Sequence, residues 1–306
     1  MFDRNSRTGA WRLIDPAASR LIASGIDPYG KIGLVGPGPD DGHVLLWTQD
    51  GDGTDQWQLV ARENGAMQAF LPGIAVQGWL FDPRSGLLAG YVADGDRRTP
   101  HLFDPIREQR LRRVDRAFAG LQWTLLSWDD GFSRLIVQTH GASDPGTTWL
   151  VDVASSTAHD IGVNYPAIAP SAVGPTRMWR YQAGDGLMID GVLTLPPDRD
   201  ARALPLVVFP HGGPAMRDYP GFNWWAQALA ARGYAVFQPN FRGSTGYDVA
   251  LKRAGRGQWG LAMQSDLSDG IAALARNGVI DPKRVCIMGA SYGGYAALAG
   301  VTVQQG

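Results

Sequence analysis

Over the first 165 of the 306 residues, short apolar runs rich in Trp, Leu, Val and Ile are punctuated by polar turns, which predicts β structure. Val44-Leu45-Leu46-Trp47, Trp57-Gln58-Leu59-Val60, Leu87 to Val92 and Leu135 to Gln138 are such runs, separated by Asp-Gly, Pro-Gly and Asp-Pro turns. Helical periodicity is scarce here. Leu102-Phe103-Asp104 and Leu150-Val151-Asp152 lie 48 residues apart, as do the runs opening at Leu87 and Leu135, and Met1-Phe2-Asp3 aligns with the first two as a leading copy. Repeats of this length with four short strands predict blades of a β-propeller: about three, plus a fragment resembling the last strands of another. A small β-sandwich is the alternative arrangement. Three blades cannot close a ring, so the natural fold is expected to begin before Met1.

The pattern changes after Pro166, where a stretch rich in Pro, Ala, Gly and Ser reads as a linker. Beyond it come Trp179-Arg180-Tyr181, an Asp185-Gly186 hairpin turn and an alternating strand from Ile189 to Leu195. Leu204 to Phe209 and Tyr234 to Phe237 are continuous apolar runs, as expected of parallel strands buried on both faces. Between and after them, Phe222 to Arg232 and Asp266 to Asn277 have apolar residues at helical spacing, closed by Gly233 and Gly278. Strands alternating with helices predict a mostly parallel sheet.

Composition narrows the function classes. With 28 basic and 29 acidic residues the net charge is −1, too small for a broad nucleic-acid or anionic-membrane footprint. Arg107, Arg110, Arg112, Arg113 and Arg116 read as a solvated strand and loop. The single cysteine, Cys286, sits in an apolar run and reads as a small buried hydrophobe; one cysteine makes no disulfide or zinc framework. Met1 to Asn5 lacks the apolar core of a signal peptide and no run approaches membrane-spanning length, so a cytoplasmic protein is expected unless the natural N-terminus lies upstream.

The chemistry gathers near the C-terminal end. Gly289-Ala290-Ser291-Tyr292-Gly293 follows the apolar run Val285 to Met288 and leads into Tyr295 to Ala299: a strand, a sharp turn and a helix, with Ser291 lifted out as candidate nucleophile. His211-Gly212-Gly213-Pro214 directly follows the first strongly buried strand, where an oxyanion loop belongs. The backbone amides of Gly213 and Tyr292 are the expected oxyanion donors. This order of elements matches an α/β-hydrolase up to its nucleophile. In that fold the base follows the serine, which excludes His211. His43, His101, His140 and His159 lie in the β half and read as surface or turn residues. No His, Asp or Glu occurs after Tyr292, so the chain alone is expected to be inert. Asn240 to Tyr247 is a glycine-bearing loop without the lysine of a phosphate-binding motif, and Asp266 and Asp269 read as first-turn carboxylates facing a helix dipole.

As an ordered set, His211-Gly-Gly-Pro, Asn240-Phe-Arg-Gly-Ser-Thr-Gly-Tyr, Trp259-Gly260, Asp266 to Asp269, Ile280-Asp-Pro-Lys-Arg284 and Gly289-Ala-Ser-Tyr-Gly-Gly-Tyr295 resemble the catalytic domain of the prolyl oligopeptidase family of serine peptidases, in its acylaminoacyl-peptidase-like branch. The resemblance covers roughly residues 179 to 306, and the upstream repeats are similar in kind to that family's propeller. It implies hydrolysis of short peptides through an acyl-enzyme on Ser291, with Gly213 and Tyr292 holding the oxyanion and no metal or organic cofactor. It also implies residues 1–165 as a partial β-propeller, 166–178 as a linker and 179–306 as the first part of an α/β-hydrolase domain, cut after the nucleophile. The family's Asp and His would lie beyond Gly306. Glu63 and Glu108 are the only glutamates and do not form the pair with which the dipeptidyl-peptidase branch grips a free amino terminus. Two other readings stand beside it: a carboxylesterase on the same fold, and a non-catalytic binding module. Oligomeric state is not legible.

Overall fold

The computed structural model describes residues 1–51, 53–95, 97–141, 144–247 and 249–302. Its first part consists of four separate antiparallel sheets. β1 (Phe2–Arg4), β2 (Ala10–Asp15) and β3 (Arg20–Ile26) form the first, and β4 (Ile32–Pro37), β5 (His43–Gln49), β6 (Asp55–Ala61) and β7 (Met67–Phe70) the second. β8 (Val76–Phe81), β9 (Leu88–Ala93) and β10 (Thr99–Leu102) form the third. The helix α1 (Pro105–Ala117) precedes the fourth, made of β11 (Gln122–Trp128), β12 (Arg134–His140), β13 (Thr147–Asp152) and β14 (Thr157–Val163).

A turn motif shows how these sheets repeat. After β2, Asp15 accepts the Ala17 amide and the fourth residue on, Ser19, is left-handed with φ 48°. After β13, Asp152 accepts the amides of Ala154 and Ser155, and Ser156 has φ 57°. After β6 the same place is filled by Gly65, φ 73°. An Asx turn closed by a left-handed residue thus joins the last two strands of the first and fourth sheets, while in the second, where Ala61 stands at the aspartate's place, the left-handed glycine closes the turn by donating its amide to Ala61 O. The leading copy of the repeat is therefore Leu13-Ile14-Asp15, not Met1-Phe2-Asp3, because equivalence follows position in the sheet.

The five arginines between Arg107 and Arg116 correct a second expectation: they lie on α1, not on a strand and loop. Asp104 accepts the amides of Ile106 and Arg107 to start that helix, and Leu111 and Val114 are its buried residues.

The rest of the chain builds one mixed sheet. β15 (Thr176–Gln182), β16 (Met188–Thr194), β17 (Leu204–Val208), β18 (Ala235–Asn240) and β19 (Ile280–Ile287) lie in the order β15-β16-β18-β17-β19. β16 runs antiparallel to β15 and β18, whereas β17 runs parallel to β18 and β19. All six residues of β18 are buried, as its continuous apolar run requires. Helices α2 (Trp224–Ala230), α3 (Val249–Ala254), α4 (Ala262–Arg276) and α5 (Tyr292–Thr302) accompany this sheet. Ile189, Leu193, Leu206, Val208, Phe237 and Leu274 make its core, each such side chain contributing about 1.5–3 kcal/mol of burial. Packing is close enough that a Cβ on Gly191 or Gly270 would fall 2.4 or 2.6 Å from the Phe237 ring.

Two boundaries and one burial differ from expectation. α2 begins at Trp224, not Phe222, because Asn223 caps it by accepting the Ala226 amide. α4 begins at Ala262, a full turn before Asp266. Cys286 is exposed, because among the described residues no strand flanks β19 on the side away from β17.

The chain divides into two compact units, Met1–Ala93 with Pro100–Gln109, and Asp94–Thr99 with Arg110–Gly306. The second unit contains the fourth small sheet and the five-stranded sheet. Among the described residues no helix is long and apolar enough to cross a membrane.

Candidate active site

Ser291 stands between the end of β19 and the first residue of α5, with φ 55° and its side chain exposed. A left-handed serine costs about 1–2 kcal/mol, and the surrounding contacts hold it there. On one side, a Cβ on Gly289 would lie 2.5 Å from the Gly293 carbonyl carbon. On the other, a Cβ on Gly293 would lie 2.1 Å from Pro210 O, at the exit of β17. The two glycines flanking the serine are therefore demanded by backbone approaching backbone. α5 starts at once, its Tyr295 amide donating to Ser291 O at 3.0 Å.

The loop leaving β17 is brought against this turn. A Cβ built on Gly212 would lie 3.4 Å from Ser291 Cβ and 3.8 Å from Ser291 Oγ. Gly213 follows with φ 112°, a conformation a side chain would strain, and is exposed. A carbonyl carbon attacked by Ser291 Oγ would thus sit between the Gly212-Gly213 backbone and the start of α5, whose positive dipole end favours developing negative charge. Tyr292 buries its side chain to 3% exposure, and burial pushes its phenol pKa well above the ordinary value. Its phenol is therefore packed in the core and no candidate oxyanion donor.

His211 is occupied elsewhere. Burial lowers its pKa and keeps the ring neutral. Nδ1–H donates to Gly212 O at 2.8 Å, and Nε2 lies 3.0 Å from Ser244 Oγ. That hydroxyl also stands 2.7 Å from Phe241 O, two acceptors for its one proton. The ring stacks on Phe241 at 4.5 Å. Both ring nitrogens being taken, His211 serves as an anchor for the glycine loop.

The segment Asn240 to Ser244, following β18, is a buried platform. Phe241, Asn240 and Ser244 are fully buried and Arg242 is 7% exposed. The Asn240 side chain accepts the Asp218 amide and donates to Asp218 O. Asp266, 0% exposed, accepts the Arg242 amide at 2.9 Å, Nε at 2.9 and 3.1 Å and Nη2 at 2.7 Å, while Nη1 reaches Asp185 at 2.7 Å. This corrects the reading of Asp266 as a first-turn carboxylate: the earlier start of α4 puts it inside the helix as half of a buried ion pair. Asp269 likewise accepts the Gly184 amide at 2.7 Å. The signal was present, since Asp266 shares the face of Gly270 and Ala273, which is the buried one.

The remaining histidines have local partners or surroundings. His43 pairs with Asp40 and His101 with Glu108, both in the first unit. His159 is exposed on β14. His140 packs against Gly221, where a Cβ would lie 2.5 Å from its Nδ1. Among the described residues no group of three His, Cys, Asp or Glu is placed to hold a metal ion.

Comparison with known proteins follows the same lines. Residues 220–306 match the sequence model of the prolyl oligopeptidase family. Dipeptidyl aminopeptidase BIII of Pseudoxanthomonas mexicana is 30% identical over 313 aligned residues, which cover 98% of this chain and 44% of that protein. A puromycin-hydrolyzing peptidase of Mycobacterium tuberculosis superposes with a TM-score of 0.68 at 23% identity, over 96% of this chain and 46% of the other. The acylaminoacyl peptidase of Pyrococcus horikoshii superposes with a TM-score of 0.64 at 19% identity, over 97% and 54%. At those identities the two structures show a shared, largely β fold. The chain spans less than half the length of that curated relative and about half of each solved chain.

Proposed function

We infer from the prolyl oligopeptidase family, to which this chain belongs, and from the geometry around Ser291 that it is part of a serine peptidase acting on short peptides. Residues 1–165 are propeller blades, 166–178 the linker, and 179–306 the leading part of an α/β-hydrolase domain. Ser291 Oγ attacks the scissile carbonyl, the Oγ–C bond forms, and the carbonyl electron pair moves to oxygen. The amides of Gly213 and Tyr292 accommodate that oxyanion, each donor being worth about 2.7–4 kcal/mol in the transition state. Collapse expels the amine and leaves an acyl-enzyme, which water opens. The proton taken from Ser291 and delivered to the leaving amine needs an Asp-oriented His. Neither occurs between Tyr292 and Gly306, so on this reading residues 1–306 alone are inactive.

The observation that carries this reading is an exposed serine held at φ 55°, with the Gly212 Cβ position 3.4 Å from its own Cβ. That the 30%-identical protein is named a dipeptidyl aminopeptidase supports the peptidase reading over the esterase one. Turnover of peptidyl p-nitroanilides by the full-length protein, abolished by Ser291→Ala, is the expected result. Turnover of p-nitrophenyl esters without peptides would make it a carboxylesterase. No fluorophosphonate labelling at Ser291 would make it a binding module.

A further inference from the structure

Two amides can share one oxygen only when the gap between them is set to within a few tenths of an ångström. Here the amides come from different segments, Gly213 on the loop after β17 and Tyr292 at the head of α5. One ring lies between the side chains of those two segments. Phe241, fully buried, stacks on His211 at 4.5 Å with an interplanar angle of 20°, and packs on Tyr292 at 5.1 Å with an angle of 33°. His211 is bonded to the neighbouring Gly212, and Tyr292 is itself the other donor, so the rings run in a column from one half of the site to the other.

The column is braced along its length. The Phe241 carbonyl receives the Ser244 amide at 3.0 Å and lies 2.7 Å from the Ser244 hydroxyl, which also meets His211 Nε2. The next residue, Arg242, is locked to Asp266 of α4. Trp259 packs edge-on against Tyr292 at 4.8 Å, and Met263 and Leu267 complete the cluster. Neither end of the column can shift without disturbing the other.

We propose that Phe241 is a positioning residue that spaces the two oxyanion donors, acting through His211 on Gly213 and directly on Tyr292. Ser244 is its tether on the His211 side. The proposal rests on the peptidase reading above and adds to it a residue that touches neither substrate nor the reacting atoms. A Phe241 that served only as core would lower stability on replacement and leave the folded fraction fully active. A spacer loses transition-state stabilisation while substrate binding is kept.

The test compares wild type, Phe241→Leu and Ser244→Ala in the full-length protein, well below their unfolding temperatures. Phe241→Leu is expected to lower kcat about 10–100-fold with KM within about twofold. A peptidyl boronate, whose tetrahedral adduct places an oxygen in the same hole, is expected to bind more weakly by the same factor. A product peptide is expected to bind unchanged. Ser244→Ala, a smaller change, is expected to lower kcat several-fold in the same pattern. Wild-type kcat in folded Phe241→Leu overturns the proposal; so does an equal loss of product and boronate affinity. If wild type neither cleaves peptides nor binds the boronate, the peptidase reading fails, and crystal structures of wild type and Phe241→Leu still decide the spacing. A change of about 0.5 Å or more in the separation of the Gly213 and Tyr292 amide nitrogens supports the column, and an unchanged separation overturns it. Should Phe241→Leu not fold, Ser244→Ala with the same readouts carries the decision.

Discussion

Removing Arg242 tests the platform beneath the site most directly. Asp266 is completely buried, and its carboxylate meets the Arg242 amide and otherwise guanidinium nitrogens of Arg242, at 2.7 to 3.1 Å. Arg242→Met keeps the length and apolar stem but leaves that carboxylate facing one backbone N–H. Breaking a buried pair from one side costs roughly 3–5 kcal/mol, because a desolvated charge is left uncompensated. The Asp185 contact, half-exposed on the carboxylate side, adds at most about 1 kcal/mol. For a unit of this size, the loss should lower Tm by roughly 6–20 °C. Urea unfolding followed by tryptophan fluorescence measures it at 25 °C. Burial already raises the Asp266 pKa, with Arg242 opposing that rise, so the variant's carboxyl rises further. A carboxyl whose folded pKa exceeds its unfolded value near 3.8 gains stability as pH falls through the folded value, so the deficit should shrink toward acid. Arg242→Met with Asp266→Leu should cost less than Arg242→Met alone. A single-variant loss below about 1 kcal/mol, or strictly additive losses in the cycle, would refute the reasoning.

Three other outcomes follow from the same geometry. Gly293→Ala puts a Cβ 2.1 Å from Pro210 O, so the elbow and the glycine loop must part; kcat/KM of the full-length protein should fall about 100-fold, and near-normal activity would count against the packing described. Ser291→Gly relieves a left-handed side chain and should stabilise the protein by about 0.5–1 kcal/mol in denaturant unfolding while abolishing acylation; destabilisation would mean the turn is not strained. Burial lowers the pKa of both His211 and His140, so below about pH 6.5 the unfolded chain binds more protons than the folded one. Stability should therefore fall as pH drops from about 6.5, by at most about 1.4 kcal/mol per pH unit for each histidine, with Asp218, raised by burial, offsetting part of this at lower pH; a urea midpoint constant between pH 7 and 5.5 would contradict it.

Local signals in the chain were legible where they were strong. The short apolar strands between turns, the buried runs that became β17 and β18, and the Gly-x-Ser-x-Gly turn all stand where residue pattern put them. α1 was not legible, because five arginines diluted a face that needs only Leu111 and Val114 to be buried. Cys286 misled for a different reason. An apolar run says that a strand exists, and says nothing of whether a neighbour covers it; the edge position of β19 among the described residues follows from strand order alone. The repeat was seen but shifted, since Met1-Phe2-Asp3 and Leu13-Ile14-Asp15 share a pattern and only hydrogen bonding after Asp15 separates them.

What escaped the sequence at the site has one common cause. Ser291, Gly212 and Gly213 are marked by backbone requirements, which glycine and serine satisfy almost alone and which therefore leave a trace in residue identity. Phe241, Asp266 and Ser244 act through contacts with residues far along the chain, His211 and Tyr292 for the first, Arg242 for the second, His211 for the third. A buried phenylalanine after a buried strand has the same signature whether it fills space or sets a distance. On the reading proposed here, motifs mark the reacting groups, while the interval between those groups is encoded in side chains whose local pattern is that of ordinary core. Variants of the motif residues will abolish chemistry outright; variants of Phe241 and Ser244 should grade it, and that gradation distinguishes a spacer from a filler.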